Sequence, residues 1–138
     1  MKHVLPALVA LCIFSTQSTA QSTPRTTKSG VYAREQAARG QDVFLGTCKN
    51  CHAPEAHTTD TFTTKWQGRP LSDLLQYLRD QMPKNEPGSL SAEEYADVLA
   101  YLLKLNRMPA GDADLPADMT QLKSIRIDIR PNAVRKDQ

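Results

Sequence analysis

The chain has 138 residues, 40% of them hydrophobic and 23% charged, with 17 Lys and Arg against 15 Asp and Glu for a formal net charge of +2. That is room for one globular domain, and the near-balance of charge, with no block of like sign and no internal repeat, gives no basis for nucleic-acid binding. Any electrostatic docking has to come from a local patch. Met1-Lys2-His3, the apolar run Val4 to Phe14 and the small residues Ser18-Thr19-Ala20 have the layout of a secretory signal cleaved after Ala20. The run is shorter than the roughly 20 residues a membrane span needs, so no span is expected after cleavage and the mature chain is expected in the periplasm. Cleavage removes Cys12; Leu11 stands before it where a lipoprotein signal wants a small residue. Only Cys48 and Cys51 then remain, with no cysteine left for a structural disulfide.

Residues 21–30, rich in Ser, Thr, Gln and Lys, read as a flexible leader, and a domain is expected over residues 31–110. From Tyr32 to Leu45 the residues Ala33, Ala37, Gly40 and Phe44 recur at helical spacing on one face. Gly40 costs about 1 kcal/mol against Ala inside a helix, which a second helix crossing close by would explain; a simply tolerated glycine is the plainer alternative. Between Ala53 and Arg69 a Thr-rich stretch with Pro54 and Gly68 reads as loop, with Trp66 as its one large anchor. Pro70 suits the first turn of a second helix, where Leu71, Leu74, Leu75 and Leu78 make an apolar face ending near Asp80 or Gln81. The chain then turns at Met82-Pro83. Ser91 and Glu94 form a capping box, with Leu90 and Tyr95 as its hydrophobic staple. The stripe Tyr95, Val98, Leu99, Leu102 and Leu103 continues to about Asn106, and Pro109 stops it. Residues 111–138, with an alternation at Ile125, Ile127 and Ile129, are expected as an extended tail lying over the domain and fraying after Pro131.

Cys48-Lys49-Asn50-Cys51-His52 is a C-x-x-C-H sequence, the covalent attachment pattern of c-type haem. Two cysteines at this spacing bring both sulfurs to one edge of a porphyrin, where each adds to a vinyl group as a thioether, and the histidine projects beneath the iron. A buried macrocycle would also supply apolar surface that a small domain without disulfides lacks. The competing reading is a zinc site completed by His57, but structural zinc usually takes separated ligand pairs and no second pair exists. His57 is otherwise expected as a solvated loop histidine. Pro54 is placed to shape the loop whose carbonyl accepts the second ring N–H of His52.

A helix before C-x-x-C-H, a methionine in a loop and a strong helix after it resemble class I monohaem cytochromes c. Trp66-Gln67-Gly68-Arg69-Pro70-Leu71, Gln81-Met82-Pro83, Pro87-Gly88-Ser89-Leu90-Ser91, Glu94 to Tyr101 and Met108-Pro109-Ala110-Gly111 are similar to the small periplasmic cytochromes and cytochrome domains associated with quinoprotein dehydrogenases. The resemblance covers roughly Tyr32 to Ala110. It implies an all-α class I cytochrome c fold, about three main helices around one covalent haem c, with the first and last helices crossing through Gly40, Phe44 and Tyr101. It also implies that Met82 is the distal iron ligand opposite His52. Met108, also followed by proline, is the competitor; Met82 lies in the loop between two helices, whereas Met108 comes after the last helix has ended. Trp66 and Arg69 match positions that hold a haem propionate, against the plainer reading of a loop anchor and a solvated arginine.

A six-coordinate iron implies an electron carrier and no bond chemistry. The resemblance implies a periplasmic dehydrogenase as donor, of quinoprotein or molybdenum type, and a cytochrome or terminal oxidase as acceptor. Two alternatives stay open. One is a haem enzyme or gas binder with a labile sixth position, for which only His57 is left as a distal histidine. The other is a tightly held dehydrogenase subunit docked through the tail.

Overall fold

Periodicity and caps place three helices in this chain, and each forms within two residues of where they put it. The computed structural model describes residues 24–129. Among these the α-helices are α1 (Arg34–Val43), α2 (Asp60–Trp66), α3 (Leu71–Gln81), α4 (Ala92–Leu105) and α5 (Met119–Lys123), with no strand beyond isolated bridges. The fold is all-α, consistent with the class I cytochrome c architecture expected from the sequence. The signal expected over residues 1–20 and the fraying expected after Pro131 lie outside the described residues.

The capping box at α4 is complete: Ser91 Oγ accepts from the Glu94 N–H at 3.1 Å and Glu94 Oε2 accepts from the Ser91 N–H at 2.8 Å. Every residue from Tyr95 to Leu103 is buried, Asp97 included, so α4 is enclosed on all sides over that stretch and runs through the centre of the molecule. Helix α1 crosses it where Gly40 removes the side chain. A Cβ on Gly40 would stand 1.8 Å from the Asp97 carbonyl oxygen and 2.3 Å from its carbon. Beside the crossing Arg39 makes a bidentate contact to Asp97 at 3.0 and 3.2 Å and reaches Asp114 at 2.7 Å. One turn on, Phe44 meets Tyr101 with ring centres 5.4 Å apart.

Three segments differ from expectation. The loop expected from Ala53 to Arg69 holds a 3-10 turn, Pro54–His57, and α2. Thr59 caps α2 by accepting from the Phe62 N–H at 3.3 Å, and Phe62 and Trp66, four apart, are its whole apolar face, too little for a periodic signal over seven residues. Secondly, the supposed flexible leader is folded from its described part onward. Thr27 is completely buried; its hydroxyl donates to Met108 Sδ at 3.3 Å and accepts from the Asp128 N–H at 2.9 Å. These partners lie 81 and 101 residues away, which no local pattern announces.

Thirdly, the tail belongs to the core. Leu115, Leu122, Ile125 and Ile127 are buried, and α5 sits among them, capped by Asp118 Oδ1 accepting from the Gln121 N–H at 2.8 Å. Gln36 clamps the Leu115 backbone through both ends of its side-chain amide, Oε1 accepting from the Leu115 N–H at 2.6 Å and Nε2 donating to the Leu115 carbonyl at 2.9 Å. Gly111 passes so close to Gly30 that a Cβ there would meet the Gly30 oxygen at 2.1 Å. The stretch from Ile125 to Ile127 threads between the N-terminal segment and the α2–α3 connection, with the Thr27 N–H on the Arg126 carbonyl, the Leu71 N–H on that of Ile125 and the Gly68 N–H on that of Ile127. Two-residue alternation therefore does place Ile125 and Ile127 inward, in an element that closes the domain.

Candidate functional site

Helix α1 does not stop where its α-geometry ends. Phe44–Cys48 continues as a π-helical turn, in which the Lys49 N–H reaches back five residues to the Phe44 carbonyl at 2.9 Å. Such one-turn widenings re-aim the residues that follow and recur at functional sites. The Cys48 carbonyl then accepts from both the Cys51 N–H at 3.1 Å and the His52 N–H at 2.9 Å, winding the motif into a tight turn. As a result Cys48, Cys51 and His52 line one cavity of about 870 Å³, toward the upper end of the range for small-molecule sites. Burial, and then the neighbouring Cys51, pushes the Cys48 thiol above its ordinary value.

The other walls come from the rest of the chain. Leu74 and Leu78 of α3, Val98 and Leu102 of α4, and Phe44 make the lining largely apolar. Met82, at the end of α3, also lines the cavity. Its backbone is tied down by Tyr95: the phenol donates to the Met82 carbonyl at 2.6 Å and accepts from the Gly88 N–H at 3.0 Å. Gly88 has φ +80°, and the Met82-Pro83 peptide bond is cis. A row of rings closes another side, with Phe62 6.4 Å from Trp66 and Trp66 5.4 Å from Tyr77 between centres. Lys65 Nζ stands 3.9 Å from the Tyr77 ring centre and 5.0 Å from that of Trp66, placing a cation at the cavity wall.

Of the residues singled out in the sequence, Cys48, Cys51, His52, Met82 and Trp66 share this cavity, and Arg69 does not line it. Arg69 stacks on Trp66 at 4.9 Å and pairs with Asp73 at 2.8 Å, so the pull of a carboxylate one helical turn away holds it outside. Met108 is buried in the core, its sulfur taken by Thr27 and its carbonyl accepting from the Tyr32 hydroxyl at 2.8 Å. His57 is not the solvated loop residue expected. It lines the cavity with Nε2 enclosed and unpartnered, and burial, then the adjacent His52, holds its imidazole below the ordinary value. Lys65, Tyr77 and Tyr95 also join the site without a motif to mark them; Tyr95 was legible as a staple residue, but not as the anchor of Met82.

The donor set suits a c-type haem: two thiols three residues apart, an imidazole and a thioether around one apolar cavity. It does not suit zinc, because among the described residues no group of three or more His, Cys, Asp or Glu side chains could hold a metal ion. Residues 35–102 match the family model described as cytochrome c oxidase, cbb3-type, subunit III. This match supports a c-type cytochrome. Neither the curated proteins nor the solved structures include a significant match to the chain. A cytochrome c domain implies covalently bound haem c and redox partners, its family works in electron transfer and is not in general enzymatic, and such domains are typically extracytoplasmic. No helix of the described residues is long and apolar enough to cross a membrane.

Proposed function

We propose that this chain is an exported one-electron carrier with a single haem c, working in the periplasm. The observation that carries the reading is the gathering of Cys48, Cys51, His52 and Met82 around one apolar cavity. Haem held there supplies a one-electron ferric/ferrous couple. Cys48 and Cys51 would hold the macrocycle as thioethers, and His52 and Met82 would supply the nitrogen and the thioether sulfur that ligate the iron. With both of those side chains bound to it, the iron would have no position left for substrate. Thioether sulfur is a soft ligand that favours the reduced metal, and the apolar walls penalise the extra charge of the oxidised state; both push the potential up. Trp66 and Lys65 are the side chains at the wall suited to a haem carboxylate, and Arg69 lies 4.9 Å from the Trp66 ring centre.

The donor is proposed to be a periplasmic dehydrogenase and the acceptor another cytochrome or a terminal oxidase, an assignment the matched family's name favours on the acceptor side. Contacts of this kind are small and transient. The buried tail speaks against its use as a free docking arm.

The test is the optical spectrum of the haem-loaded protein, oxidised and reduced, with and without carbon monoxide. A low-spin spectrum with a far-red methionine–iron band, lost in Met82→Ala and indifferent to carbon monoxide, is expected. A high-spin spectrum, or ready gas binding by the unaltered protein, would replace this reading with a haem enzyme or gas binder.

A further inference from the structure

His57 is held more firmly than a loop histidine needs to be. Its carbonyl accepts from Asn106 Nδ2 at 2.9 Å, at the end of α4, and its ring stands edge-on between Phe44 and Phe62, with centres 5.6 and 5.7 Å away at 86° and 84°. Its Nε2 is closed in by protein and has no hydrogen-bond partner. The two phenyl rings offer it nothing polar. The third ring against it is His52, 5.5 Å between centres and tilted by 51°. A linear N–H···N bond of about 3 Å between two imidazoles puts their centres roughly 5 Å apart, so the spacing of the two rings suits such a bond.

We propose that His57 is a positioning residue for the proximal imidazole: its enclosed Nε2 accepts a hydrogen bond from Nδ1–H of His52, leaving Nε2 of His52 for the iron. This rests on the reading of His52 as an iron ligand. A ligating histidine almost always gives its other N–H to an acceptor that fixes its tautomer, its rotation and its basicity. Here the acceptor is a side chain, where the sequence led us to expect a backbone carbonyl near Pro54. A carboxylate of the haem is a poorer partner for Nε2, because protein atoms already shut that nitrogen off from the cavity. The Asn106 contact adds a structural consequence: the acceptor is fixed to the last turn of α4, so the orientation of the proximal ligand is set by the helix that forms the core.

The decisive experiment is nitrogen-15 NMR on the reduced, diamagnetic holoprotein. A scalar coupling across the hydrogen bond between His52 Nδ1 and His57 Nε2, with a slowly exchanging His52 Nδ1 proton, is expected. His57→Phe should speed that exchange and raise the midpoint potential, because a less basic ligand stabilises the ferric state less; His57→Gln, which offers a carbonyl oxygen, should restore part of both. Absence of the coupling, with His52 Nδ1–H bonded to a backbone carbonyl or open to water while the low-spin histidine–methionine spectrum persists, overturns this inference and leaves the carrier reading intact. A spectrum unchanged by His52→Ala would remove His52 from the iron and take both readings with it.

Discussion

Tyr95→Phe separates what the Tyr95 ring does for the core from what its hydroxyl does for Met82. The ring, carried by the first turns of α4, stays buried, while one donated and one accepted hydrogen bond, at 2.6 Å to the Met82 carbonyl and 3.0 Å from the Gly88 N–H, are lost. A protein hydrogen bond contributes about 0.5–1.5 kcal/mol net. Both bonds are only part-buried, so the freed backbone groups can take water, and the closed loop should lose about 1–2 kcal/mol in all. At about 1.4 kcal/mol per tenfold, the displacement of Met82 by an outside ligand becomes roughly 5- to 30-fold easier. Titration of the oxidised holoprotein with imidazole, followed by loss of the methionine–iron band, should show the dissociation constant falling by that factor. Urea unfolding should show a loss of no more than about 2 kcal/mol. An imidazole affinity equal to that of the unaltered protein would refute the role given to the hydroxyl.

Gly40→Ala should destabilise despite better helix propensity: the gain of about 1 kcal/mol is outweighed by overpacking of about 3 kcal/mol or more against backbone that cannot rotate away. The net loss of about 2 kcal/mol lowers Tm by roughly 8–16 °C, and a thermal melt at or above that of the unaltered protein would sink the close-crossing explanation. Met108→Leu should leave the methionine–iron band in place while costing some stability through Thr27, whose hydroxyl loses its sulfur partner; disappearance of the band would transfer the ligand role from Met82 to Met108. Ending the chain after Gly111 removes Leu115, Leu122, Ile125 and Ile127. At about 1.5–3 kcal/mol each they amount to roughly 6–12 kcal/mol as an upper estimate, comparable with a whole domain's stability of about 5–15 kcal/mol. Far-ultraviolet circular dichroism of that truncation should show little folded helix, and a cooperative melt near the full-length value would mean that the tail is dispensable.

Local chemistry was readable in this chain wherever the interacting groups are neighbours in sequence. The Ser91–Glu94 box, the leucine face of α3, the stop at Pro109 and the C-x-x-C-H turn each depend on residues within a turn or two of one another, and the two sulfurs and the imidazole of the motif share a cavity for the same reason. Helix α2 escaped because two apolar residues in seven make no period, and the pairing of Arg69 with Asp73 carries no motif to mark it.

By itself, then, the sequence determined the all-α class, the three principal helices and the candidate haem-binding motif, all of which follow from contacts a few residues long. Only the tertiary structure decided that Thr27 is core, that the tail closes the domain, that Tyr95 anchors Met82 and that His57 stands enclosed beside His52. Each of those depends on burial or on hydrogen bonds between distant segments. A hydroxyl or an imidazole has the same letter whether water or a ring surrounds it, and it is the packing of α1, α4 and the tail that chooses between the two.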